Sequence, residues 1–174
     1  IIATAGSYDD VVISGQADIA NPDRIALTRG SLTWRGIPTA TGLLDGGRFS
    51  RLSLDLEAPG QAVLDNRAGT LTRAGAPTLS FTGFTQFVVT TADGTGPFQF
   101  IGSDLSEGLE LTAWRFLDHR VQMYGGSDRL RVSADHELQG FTEYDGGAGA
   151  RDRLTLTMPR EEVVDLDLRR GLLT

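Results

Sequence analysis

Two histidines each lie beside a carboxylate, in Asp118-His119 and Asp135-His136-Glu137, the residue types that general acid–base chemistry uses. Neighbouring residues on a strand face opposite sides, so neither carboxylate is placed to orient its imidazole. Both histidines are therefore read as exposed loop residues. Glu161-Glu162 and the Glu107/Glu110 pair supply the two acids that glycoside hydrolysis needs, yet such pairs are generic in an acidic chain. Nothing in the composition forbids a Ser-His-Asp set, but no Gly-x-Ser-x-Gly elbow presents a serine, and no glycine-rich loop leads into a helix to cradle phosphate. Trp34, Trp114, Phe81, Phe84, Phe87, Phe98 and Phe100 could stack on sugars; they are read instead as core. No active site emerges, and the chain is expected not to be an enzyme.

The elements that would position these residues are short. Val11-Val12-Ile13, Ile25-Ala26-Leu27-Thr28, Ser31-Leu32-Thr33-Trp34 and Leu52-Ser53-Leu54-Asp55-Leu56 are β-branched or alternating runs. Turn signals bound them at Thr4 to Asp10, Ser14-Gly15, Asn21-Pro22-Asp23, Arg29-Gly30 and Asp45-Gly46-Gly47. Between Leu105 and Leu117 a helix competes with a strand over Leu109 to Trp114; Gly108 interrupts the helix and favours the strand. About a dozen strands bounded by Gly, Asp, Asn or Pro make an all-β chain.

The chain also repeats itself. Arg51-Leu52-Ser53-Leu54 and Gly69-Thr70-Leu71-Thr72 recur at one common displacement as Arg153-Leu154-Thr155-Leu156 and Gly171-Leu172-Leu173-Thr174. The Asp-Gly-Gly turns at 45 and 145 fall two positions short of that displacement, where a loop accepts extra residues at little cost. Gly83-Phe84-Thr85-Gln86-Phe87 echoes Gly140-Phe141-Thr142-Glu143-Tyr144 at another spacing. Like residues at like positions of stacked coils predict a parallel β-solenoid, or β-roll, with related units at 45–72 and 145–174. An antiparallel β-sandwich is the alternative, with Asp93-Gly94 and the two Asp-Gly-Gly turns as its hairpin signals.

The 174 residues are read as one domain. There is no cysteine, hence no disulfide or thiolate metal site. All 16 basic residues are Arg, and the net charge of -7 argues for solubility and against nucleic acid as a partner. No run of about 18 apolar residues exists to span a membrane. A start at Ile1-Ile2 without Met or leader suggests a mature product or a piece of something longer.

Gly146-Gly147-Ala148-Gly149-Ala150-Arg151-Asp152-Arg153-Leu154 resembles the glycine- and aspartate-rich nonapeptide of the repeats-in-toxin, or haemolysin-type calcium-binding, proteins. Ala5-Gly6-Ser7-Tyr8-Asp9-Asp10-Val11 and Tyr124-Gly125-Gly126-Ser127-Asp128-Arg129-Leu130-Arg131-Val132 look like shortened or padded copies, and Val163 to Thr174 is similar to the segment that trails such turns. The resemblance implies a β-roll with calcium between turns of adjacent coils, held by aspartates and backbone carbonyls that glycine lets face the ion. Its candidate ligands are Asp9, Asp10, Asp128, Asp145 and Asp152, with Gly147 and Gly149 shaping the turn. The copies are isolated, Asp152 comes one position late, and Arg48 and Arg51 stand where the 45–51 turn would need acids, so no metal is expected there. The expectation is a secreted or cell-surface bacterial module, structural or adhesive, such as an adhesin, surface-layer or filament component. It would self-associate through its open ends or join neighbouring domains, with surface polysaccharide as a further partner. The alternatives are a polysaccharide-acting enzyme on a β-helix and a carbohydrate-binding module.

Overall fold

Alternating apolar and polar residues between glycine-rich breaks bury one face of a strand and wet the other. In the computed structural model they form an all-β chain, with no helix among the described residues: 2–14, 24–35, 43–56, 60–91, 95–113, 119–134, 143–149, 151–157, 166–167 and 172–173. The strands are β1 (Ile2–Ser14), β2 (Arg24–Arg35), β3 (Leu43–Leu56), β4 (Gly60–Asp65), β5 (Thr70–Arg73), β6 (Leu79–Thr91), β7 (Thr95–Ile101), β8 (Gly108–Ala113), β9 (Arg120–Gln122), β10 (Arg129–Ala134), β11 (Glu143–Asp145), β12 (Arg153–Thr157), β13 (Leu166–Asp167) and β14 (Leu172–Leu173). The strand over Leu109 stands, as β8.

Twelve strands make one curled, mixed sheet with two wings. In the first wing β3, β6, β8, β10 and β12 run parallel, preceded by the second halves of β1 and β2. The second wing contains the first halves of β1, β2, β3 and β6, then β5, β4, β7, β9 and β11. All its neighbours are parallel except β5, which is antiparallel to both β6 and β4. A separate antiparallel pair joins β13 and β14. The sheet is thus neither wholly parallel nor an antiparallel sandwich. The β4–β5 hairpin is the departure, closed by Asp65 Oδ1 accepting from Ala68 N at 2.8 Å and by Gly69 at φ 66.

The corner between the wings explains three misplaced breaks. Thr4 to Asp10, Arg29-Gly30 and Asp45-Gly46-Gly47 do not end strands; they lie inside β1, β2 and β3, where the register shifts between Ser7 and Asp9, Ala26 and Ser31, and Asp45 and Ser50. Neighbouring strands supply backbone partners, on both sides of β2 and β3 and on one side of β1, so a bulge bends the chain without releasing it. From β7 onward the corner opens into true turns between β7 and β8, β9 and β10, and β11 and β12.

The repeat at 51 and 153 acquires a physical meaning. Successive parallel pairings take Arg51 to Gln86, Gly108, Arg129 and Arg153. The residues beside them form inward columns: Leu32, Leu52, Phe87, Leu109 and Leu130, and Trp34, Leu54, Val89, Leu111 and Val132, all buried, with Leu154 and Leu156 packed against them. Leu64, Phe100, Val121 and Tyr144 form the facing column of the second wing. Phe87 meets Phe100 edge to face, 5.3 Å between ring centroids, and Phe81 at 6.0 Å. Full burial of each such side chain is worth roughly 1.5–3 kcal/mol. The echo between Phe87 and Tyr144 relates different columns, and 140–142 lie outside the described residues.

Candidate functional site

The three open corner turns lie one above another. Gly125 N donates to Ser103 O at 3.2 Å, Arg129 N to Glu107 O at 2.9 Å, and Arg153 N to Asp128 O at 2.9 Å. Close stacking requires glycine. Gly126 (φ 106) and Gly147 (φ 77) adopt left-handed backbone, and a Cβ on either would collide with the carbonyls of Leu105 and Tyr124 in the turn before.

Through these turns runs a carboxylate ladder. The Glu107 carboxylate accepts from Ser103 N at 3.0 and 3.1 Å, from the Ser103 hydroxyl and from the Asn66 amide. Glu107 N donates to Asp128 Oδ1 at 2.8 Å, and Asp128 N donates to Asp152 Oδ1 at 3.1 Å. Asp128 and Asp152 therefore each cap a backbone N–H of the preceding turn, while Glu107 caps Ser103 N within its own. The two innermost acids are out of water, Glu107 at 2% and Asp128 at 0% exposure. Among the described residues Asp128 Oδ2 has no hydrogen-bond partner, and neither does the hydroxyl of Tyr144, which is 9% exposed.

Burial, with no counter-charge among the described residues, sets the electrostatics. It raises Glu107 above its ordinary 4.5, opposed by the hydrogen bonds from Ser103 and Asn66 and helped by the Asp128 charge. It raises Asp128 above 3.8, opposed by the Glu107 N–H and helped by Asp152. The Tyr144 phenol is pushed up to about 12 by burial first, then by Asp152, Asp128 and Asp145.

Of the residues the family pattern nominates, only some meet. Asp128 and Asp152 fall on adjacent rungs of the ladder, and the space a Cβ would need at Gly149 is filled by Asp152 Oδ1 and the carbonyl oxygen of Gly126. Asp145 is exposed and caps its own turn, its Oδ1 accepting from Gly147 N at 2.9 Å. Asp9 and Asp10 belong to β1, paired with Gly30 and Ser31 at the far end of the first wing, and do not join the cluster. Glu107 is the ladder residue the nonapeptide pattern misses. The missed signal is an acid two residues before each inward leucine: Glu107 and Leu109, Asp128 and Leu130, Asp152 and Leu154.

Other candidates are corrected. His119 is no exposed loop residue: it is 1% exposed, shares a column with Phe98, and its Nδ1 accepts from Phe98 N at 3.0 Å. His136, Glu161, Glu162 and Trp114 lie outside the described residues. Glu107 and Glu110 cannot act as an acid pair, because one is buried in the ladder and the other is exposed on the outer face. Arg51 does not point into its corner either; its guanidinium reaches Glu110 at 3.1 Å on that outer face. The β4–β5 hairpin splays the corner beside Ser103 into an open groove of about 710 Å³. Near it the Arg67 guanidinium lies 5.3 Å above the exposed Tyr124 ring.

Calcium takes six to eight oxygens, and the ladder offers oxygen alone: the orphaned Asp128 Oδ2, the Asp152 carboxylate and the carbonyl of Gly126. The donor chemistry fits a hard dication. Among the described residues no three His, Asp or Glu side chains converge on one point, so carbonyls and water would have to complete a shell. Among the described residues no helix is long and apolar enough to cross a membrane. No family model, no curated protein and no solved structure matches this chain.

Proposed function

We propose that the chain is a non-catalytic structural module, a parallel β-solenoid interrupted by one hairpin, of the degenerate repeats-in-toxin kind. It would act outside the cell or on its surface, in an adhesin, surface layer or filament. The observation that carries this reading is the single column in which Glu107, Asp128 and Asp152 occupy the same place in successive turns. Calcium is the proposed cofactor, held by Asp128, Asp152 and neighbouring carbonyls. It would supply the positive charge that the buried carboxylates lack and tie the second and third open turns together. Millimolar calcium outside cells suits a site with so few charged ligands.

Assembly is the proposed use of the stack's ends. Among the described residues β1 pairs only with β2, and β12 only with β10, and such edges accept another strand. The enzyme alternative loses support because His119 is core and the Glu107/Glu110 acids point apart. A carbohydrate-binding module built on a row of aromatics loses support too, because Trp34 and the phenylalanines at 81, 84, 87, 98 and 100 are buried.

The test is a calcium titration followed by circular dichroism and light scattering, with a chelator control. Calcium should raise the thermal midpoint and promote assembly, and Asp128→Asn should abolish both responses. A chain equally stable and equally monomeric in chelator and in millimolar calcium would sink the metal and assembly reading.

A further inference from the structure

The outer face of the first wing carries an arrangement that neither the ladder nor the core requires. Arg51, Arg129, Arg131 and Arg153 gather there around a single acid, Glu110. Arg51 lies 3.1 Å from one Glu110 oxygen and Arg131 lies 3.8 Å from the other, with both guanidiniums well exposed. Arg129 and Arg153 are register partners on neighbouring strands, and neither meets a carboxylate among the described residues. Like charges directly opposite on a sheet repel. In a chain of net charge -7, four arginines sharing one glutamate form a local field opposite to that of the whole.

The same place is hollow. Gly108 stands in register between Gln86 and Arg129, and the amide of Gln86 folds over the space its missing side chain leaves. The result is an open depression of about 250 Å³ lined by Gln86, Thr155 and arginines 129, 131 and 153, with Glu110 as the one acid in its lining among the described residues. Guanidinium forks match the paired oxygens of a carboxylate or sulfate, while an amide and a hydroxyl match sugar hydroxyls.

We propose that this depression binds an acidic polysaccharide, one carboxylate or sulfate group seated between Arg129 and Arg153 and an adjoining sugar against Gln86 and Thr155. The site stands on its own geometry; the choice of a polysaccharide as the carrier of the anion rests on the extracellular reading above. Binding would relieve the Arg129/Arg153 repulsion, so the ligand should also raise the thermal midpoint.

The experiment titrates the whole folded chain, identified by its β-type circular dichroism, with polygalacturonate, dextran sulfate, unsubstituted dextran, inorganic sulfate and single-stranded DNA. Because folding is checked separately, indifference to calcium, which defeats the metal reading, leaves this test intact. At least one acidic glycan should bind and dextran should not, and R129Q/R153Q should weaken binding about tenfold or more while the thermal midpoint holds or rises. R67Q/R120Q removes the same charge elsewhere and should retain affinity. The single R153Q should fall between. The proposal is overturned if neither acidic glycan binds, if R67Q/R120Q loses as much affinity as R129Q/R153Q, if DNA binds as tightly, or if inorganic sulfate alone binds as well as the polymers.

Discussion

The corner between the wings is built twice, with opposite chemistry. Around β3 and β6 it is sealed by the Phe84 ring, whose carbons lie 2.7 Å from where a Cβ on Gly46 would stand, and by Ser50, fully buried. Ser50 donates to Gly46 O and accepts from Gly30 N at 3.2 Å. From β7 to β12 it is filled by Glu107, Asp128 and Asp152, with Asp128 Oδ2 and the Tyr144 hydroxyl unpartnered among the described residues. A corner sealed by neutral, satisfied groups such as Phe84 and Ser50 holds itself, whereas one filled by buried, unsatisfied carboxylates needs a proton or a cation. The same bend is therefore scaffold at one end of the stack and the proposed calcium site at the other.

Removing the seal of the first corner should cost most. Phe84→Ala would open a cavity beside Phe81, whose ring lies 6.3 Å away, and should cost about 3–5 kcal/mol in denaturant titration, with no recovery in calcium. In the second corner Gly147→Ala combines positive φ with a collision against the Tyr124 carbonyl and should cost about 2–4 kcal/mol. Gly75→Ala, with similar φ 76 but nothing within 4 Å, isolates the conformational part at about 1–2 kcal/mol. Equal losses at both glycines would show that the turns do not stack as described.

Acid separates the corners next. Glu107 and Asp128 have folded values raised above 4.5 and 3.8, so the folded chain binds protons more tightly than the unfolded one. Stability is then fully present below those ordinary values and is lost as pH rises through the raised ones. In chelator, melting followed by circular dichroism should show a gain on acidification from neutrality toward the ordinary carboxylate range. Calcium should flatten that slope by taking the proton's place. Asp128→Asn, which keeps an oxygen for Glu107 N–H and removes the charge, should flatten it without calcium and stabilise the neutral chain by about 1–2 kcal/mol. A Glu107 and Asp128 pair with no influence on the slope would mean that other groups carry it. At the alkaline end Tyr144, raised from 10.0 to about 12, contributes stability that is lost across that interval.

Much of this was legible in the chain itself. Alternation at Leu52-Ser53-Leu54 and Leu109-Glu110-Leu111 fixed which faces are buried, and the echo of 51 at 153 placed both arginines in one column. Glycine misled at 30 and 46, because a residue that ends an isolated strand only bends one held on both sides. His119 misled because a polar side chain enters a core column when a backbone N–H, here that of Phe98, is there to meet it. Glu107 was hidden because its turn carries Ser103-Asp104-Leu105-Ser106 in place of paired glycines. The ladder depends on which turns become neighbours, and the β4–β5 hairpin, set between β6 and β7, determines that at long range.

The smallest effect should come from Asp145, one of the aspartates that the family pattern nominates. Asp45 and Asp145 open the two Asp-Gly-Gly segments, and each accepts from the N–H two residues on, at 3.1 Å to Gly47 and 2.9 Å to Gly147. One oxygen of Asp145 is thus committed to its own turn, and the residue is exposed, so it has neither the burial nor the frustrated acceptor that marks Asp128. Asparagine offers the same oxygen to Gly147. Asp145→Asn should therefore leave stability within about 0.5 kcal/mol and the calcium midpoint unshifted, while Asp128→Asn abolishes the response. If calcium affinity instead fell as far in Asp145→Asn as in Asp128→Asn, the ion would sit at the exposed lip of the turn, and the buried ladder would be scaffold like the corner of Ser50.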